Sequence, residues 1–156
     1  MAFARALRVA PLWFAAAWAM GLTALGFFVV PMLFANLPSP AIAGGMAAKL
    51  FGVQTGLSTA CALLLVVILR SDKHYVPADV VPALTMLSLA GALLALLVEF
   101  GVAPHIVARD NLRLWHSLGS AMYFAQWLCA LLVFGKLANA AVASQVVHGN
   151  GQGQDD

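Results

Sequence analysis

Residues 9–34 read VAPLWFAAAWAMGLTALGFFVVPMLF, twenty-six positions without a charged side chain. A helix needs about 20 apolar residues to cross the hydrocarbon core of a bilayer. This stretch is therefore read as a membrane-spanning helix. Arg5 and Arg8 precede it and give it the look of a secretory leader. The apolar core of a leader is only about 7–15 residues long. Here the run continues through Gly26-Phe27-Phe28-Val29-Val30, so it is read as a retained anchor.

Three further stretches behave alike. Leu50 to Leu69, Val80 to Val98 and Leu114 to Gly135 carry no Asp, Glu, Lys or Arg. None alternates apolar with polar residues, as a barrel strand would. Helices satisfy their own backbone groups within lipid, so helices are expected. The composition agrees: 63% of the 156 residues are hydrophobic and only 9% are charged. Soluble domains carry about 25% charged residues. A soluble enzyme, a disordered chain and a nucleic-acid binder are excluded on that ground. The fold class expected is all-α, an integral membrane four-helix bundle. Its helices fall at about 9–34, 40–69, 79–103 and 111–136. One domain covers 1–144, and a flexible tail covers 145–156.

Turn chemistry supports these boundaries. In Asn36-Leu37-Pro38-Ser39-Pro40, Ser39 is placed as an N-cap with Pro40 at the first helical position. Asp79 and Asp110 are placed to cap the third and fourth helices. From Pro40 to Leu69 the second helix would measure about 45 Å, longer than the core is thick.

Orientation follows from the basic residues in short loops. Arg5, Arg8, Arg70, Lys73 and Lys136 lie on one side, and Lys49, Arg109 and Arg113 on the other. The richer side is expected to be cytoplasmic, with both termini there. A bacterial inner membrane is the expected location, and the lipid bilayer is the first partner. Trp13 and Trp115 suit the interfacial aromatic belt.

Helices in lipid associate through small residues and scattered hydrogen bonds. Gly44, Ala48, Gly52, Gly56 and Ala60 form such a stripe on the second helix. Packing against its own bundle is the leading reading. A homo-oligomer or another membrane partner is the alternative. On the fourth helix His116, Ser120, Tyr123 and Trp127 share a face, which is expected to look into the bundle. No internal repeat is expected beyond the two hairpins themselves.

Ionisable groups inside a membrane segment are candidates for function. Lys49, Glu99, His105 and His116 gather at the end away from the cytoplasm. Together with Ser120 and Tyr123 they form the candidate ligand site. A structural role for them is the leading reading: Lys49 snorkelling, Glu99 paired with Lys49 or Arg113, and His116 hydrogen-bonded across the bundle. Cys61 and Cys129 lie in apolar runs without metal-ligand spacing and are read as packing residues. Glu99, His105 and His116 could meet at one mouth around a metal, though in no recognised ligand pattern. Haem would want a second axial histidine within the spans. His74, His105 and His148 all lie outside them. No cofactor is favoured.

The run Gly26 to Phe34, the turn after it, Gly45 and Phe51 form one half of a pattern. Val102-Ala103-Pro104-His105-Ile106 and Leu114-Trp115-His116-Ser117 form the other. Together they resemble a bacterial four-helix "domain of unknown function" family related to the eukaryotic transmembrane protein 205. A more distant likeness is to the copper-resistance D-type membrane domain. The resemblance implies a four-helix membrane protein without an assigned activity, linked through its eukaryotic relatives to platinum-drug resistance. It places Pro31, Phe34, Gly45, Phe51, Pro104 and His116 at family motif positions. His105 stands where arginine is common. Three functions remain open. The first is a non-enzymatic helper for transport of, or resistance to, a small ligand or metal. The second is a haem- or porphyrin-linked oxidoreductase, which the histidine-free first helix counts against. The third is an assembly subunit of a membrane complex.

Overall fold

The structure is a computed structural model and describes residues 2–71 and 76–151. Among the described residues it is helical throughout, with no strand. Helix α1 runs from Ala2–Ala24 through a π turn at Leu25–Val29 into Val30–Asn36. Helix α2 is Pro40–Arg70. Helix α3 runs from Val81–Leu97 through a second π turn at Val98–Val102 into Ala103–Val107. Helix α4 is Leu112–Gly151. All four are long and apolar enough to cross a membrane. The chain is an integral membrane four-helix bundle.

Consecutive helices are antiparallel and pack in a closed ring, with α4 returning to α1. The short connections 37–39 and 108–111 therefore share one end of the bundle, the hairpin-loop end. Large apolar side chains such as Trp13, Met20, Val53 and Phe100 are exposed around the outside. On a soluble protein such a surface would aggregate; lipid covers it here.

The first turn of α2 is built as its sequence suggests. Ser39 is extended, and its hydroxyl accepts from the Ile42 backbone N–H at 3.3 Å. Proline at the first position gives up no bond there. The other two expected caps do not form. Val80 precedes α3 without a side-chain cap, and Asp79 is exposed beside it. Asp110 is diverted to His105: its backbone N–H donates to the His105 carbonyl and its carboxylate faces the imidazole. Asn111 instead accepts the first α4 bonds, from Leu114 and Trp115. Arg109 and Asn111 both take positive φ, 59° and 32°, in this tight turn. Two ends also run on. α1 begins at Ala2 with Pro11 inside it, and α4 continues to Gly151. Of the expected flexible tail, residues 152–156 lie outside the described residues. So do residues 72–75 of the second loop.

Small residues on α3 open the centre of the bundle. Trp18 of α1 is fully buried and lies against Gly91. A methyl at Gly91 would fall 2.5 Å from Cη2 and Cζ2 of that indole. Leu22, Leu65, Leu84 and Val133 complete this core, one from each helix.

Candidate functional site

The hairpin-loop half of the bundle holds the polar side chains that reach between helices. Two of them rise from α4 and grip α1. The Tyr123 hydroxyl donates to the Leu22 carbonyl at 2.7 Å. The Trp127 Nε1 donates to Thr23 Oγ1 at 2.9 Å, and that hydroxyl donates on to the Ala19 carbonyl. The Tyr123 ring presses on Gly26, where a methyl would meet Cε1 at 2.7 Å. Phe51 of α2 holds the ring edge-on from the other side.

In a regular helix the Leu22 carbonyl would accept from the Gly26 N–H. Here the Tyr123 phenol donates to that carbonyl, and its ring lies against Gly26. A side chain inserted into the ladder is a known cause of helix distortion. The π turn begins one residue before Gly26. Its closing bond runs five residues back, from the Val30 N–H to the Leu25 carbonyl. Pro31 follows and supplies no N–H for the carbonyls behind it.

Glu99 occupies the other π turn. It is the only acid within the four spans. Its side chain is half-buried against α2, with Oε1 3.3 Å from where a Gly52 Cβ would stand. Glycine at 52 lets the carboxylate reach the α2 surface. Among the described residues Glu99 has no ion pair; neither Lys49 nor Arg113 comes within bonding distance. Lys49 is exposed on the same helix as Gly52.

The remaining site residues are spread out. His105 stacks on Trp115 with ring centroids 4.0 Å apart and planes 4° from parallel. Its Nδ1 lies 3.5 Å from Asp110 Oδ2. His116 and Ser120 are exposed, so the α4 face expected to look inward does so only at Tyr123 and Trp127. The cause is rotation about the helix axis: Trp115 and Gly119, each one residue earlier, take the covered face and leave His116 and Ser120 outside it. Among the described residues no three His, Cys, Asp or Glu side chains gather to hold a metal. Glu99, His105 and His116 do not converge on one point.

The glycine stripe also departs from its leading reading. A Cβ at Gly44, Gly45 or Gly56 would meet nothing within 4 Å. Ala48 and Ala60 are exposed. Only Gly52 faces its own bundle. Pro31 and Phe34 are exposed beyond the first π turn, and Pro104 beyond the second. Below this level Gln54 Nε2 donates to Ser58 Oγ. Trp18 Nε1 and Ser88 Oγ are buried there among the described residues without a partner.

Residues 13–114 match the model of one protein family, described as Domain of unknown function (DUF4149). The chain belongs to the DUF4149 family. The match covers α1 beyond Leu12, α2, α3 and the first turn of α4. Both π turns, Gly52 and Glu99 of this DUF4149 chain lie inside it, while His116, Tyr123 and Trp127 lie beyond it. No curated protein and no solved structure matches the chain.

Sequence reasoning missed the π turns and the Trp18–Gly91 contact. One signal for the turns was present. Phe27 and Phe100 each stand four residues before a proline, Pro31 and Pro104, with a glycine in the same short run.

Proposed function

We propose that this bundle is a non-enzymatic membrane protein that holds a small cationic ligand at Glu99, between α2 and α3. It would assist that ligand's passage or resistance to it. One observation carries the reading: the only acid inside the spans sits at a π turn, half-buried, and unpaired among the described residues. A carboxylate in lipid is costly unless something compensates it. π turns interrupt the regular ladder and recur at functional sites. On this reading the end lies away from the cytoplasm, at the outer face of a bacterial inner membrane, which the basic-residue count supports. Kinship with the relatives of transmembrane protein 205, and with the copper-resistance domain, belongs to this proposal and fits a role in resistance. Lys49, His105 and His116 stand near the same mouth and would steer or select ligand rather than bind it directly.

The test is equilibrium binding of tetraphenylphosphonium to the protein in lipid nanodiscs, with Glu99→Gln beside the parent. Saturable binding weakened at least tenfold by Glu99→Gln, with unchanged thermal stability, is the expected result. Equal binding by both proteins overturns the assignment. An absorption spectrum and metal analysis of the same preparation complete the test. A Soret band or stoichiometric metal would favour the oxidoreductase reading instead.

Assembly through α2 is the second reading. The outward-facing Gly45, Ala48, Gly56 and Ala60 favour it, because another helix could approach their backbone closely.

A further inference from the structure

The two hairpins carry one pattern. A shift of 73 residues lays α1 on α3. Pro31 then falls on Pro104, and the π turn Leu25–Val29 on the π turn Val98–Val102. The closing bonds also match, from Val30 to Leu25 and from Ala103 to Val98. Buried Ala15, Ala19 and Leu22 fall on buried Ser88, Ala92 and Ala95. A shift of 68 does the same for α2 and α4. Cys61-Ala62-Leu63-Leu64 falls on Cys129-Ala130-Leu131-Leu132. Buried Ser58, Leu65 and Leu69 fall on buried Gln126, Val133 and Leu137.

Both shifts preserve chain direction, so a rotation about an axis along the bundle relates the hairpins. Parallel repeats of this kind occur in membrane transporters. Trp18 and Gly91 are equivalent under the first shift, and they touch. Equivalent residues that touch must lie at the axis.

We infer that the chain is two copies of one helical hairpin, and that its two π turns are paired hinges of which Tyr123 latches only the first. The phenol holds α1 at the Leu22 carbonyl, just before its π turn. The position equivalent to Tyr123 in α2 is Thr55, whose side chain is too short to do the same for α3. Among the described residues no side-chain hydrogen bond reaches the backbone of α3 from Ala95 to Val102. Apolar and van der Waals contacts hold the second turn instead: Val102 against Gly119, and Glu99 against Gly52. The second π turn thus lacks the side-chain latch of the first.

The test is amide hydrogen exchange on the full chain in lipid nanodiscs. Residues 26–30 and 99–103 are compared in the parent, Tyr123→Phe and Trp127→Phe. In the parent, 99–103 exchange about three- to tenfold faster, the worth of one hydrogen bond. Tyr123→Phe keeps the ring against Gly26 and Phe51, and brings 26–30 up to the rate of 99–103. Trp127→Phe removes the neighbouring bond to Thr23, keeps an aromatic ring beside Phe27 of the turn, and loosens 26–30 less than Tyr123→Phe does. Equal exchange of the two turns in the parent overturns the latch. Unchanged or slower exchange of 26–30 in Tyr123→Phe does so too, as does equal loosening by Trp127→Phe. No ligand enters the measurement, so its result is independent of the reading of Glu99.

Discussion

Gly26 and Gly56 look alike in the sequence and stand in opposite surroundings. At Gly26 a methyl would press on Tyr123, whose ring Phe51 holds in place. At Gly56 a methyl would meet nothing. Overpacking a fitted contact typically costs 1–3 kcal/mol. Gly26→Ala is therefore expected to lose about that much stability. Gly56→Ala is expected to stay within about 0.5 kcal/mol of the parent. Thermal midpoints in one detergent compare the two. Equal losses would mean that the Tyr123 contact does not constrain α1. At this scale the sequence was partly legible. Tyr123 and Trp127 could be picked out because aromatic groups with polar tips in a span need partners. Their acceptors could not, because a backbone carbonyl and Thr23 carry no periodic signal. His116 was over-weighted: depth along the chain is not depth in the bundle.

The four helices were legible because uncharged runs of this length have one physical use. Their ends were less so. Ser39-Pro40 caps α2 because both residues act locally. Asp79 and Asp110 fail because each signal is overridden, the second by the contact with His105. The first π turn lies where the Tyr123 phenol of another helix meets the α1 backbone, which no single-segment pattern records. The stripe on α2 was legible as a stripe, but its direction depends on which face the other helices cover. Since it faces outward, Gly56→Leu and Ala48→Leu are expected to leave the thermal midpoint unchanged and to reduce cross-linked dimer in membranes. Undiminished cross-linking would assign that face to lipid alone.

The bundle has a single centre, and an asymmetric pair fills it. On the pseudo-twofold axis α1 places its largest side chain, Trp18, and α3 places none, at Gly91. The same exchange of large for small recurs nearer the loops. Phe51 corresponds to Gly119 under the shift of 68, and Gly26 corresponds to Glu99 under the shift of 73. Two identical hairpins would put two indoles on one axis, where only one fits. Divergence of the copies removes that clash. It also leaves one carboxylate at the loop end rather than two. The repeat is hard to see in the chain because it lies in burial and backbone geometry more than in residue identity. On such an axis the indole can come from either hairpin. Trp18→Gly alone should cost about 3–5 kcal/mol by emptying the centre. Gly91→Trp alone should fail to pack against the resident indole. The double variant Trp18→Gly with Gly91→Trp should recover more than half of the stability lost by the worse single variant. Thermal unfolding of all four proteins in one detergent measures this. A double variant no more stable than Gly91→Trp would show that the two positions are not equivalent. It would also remove the axis on which the paired hinges rest.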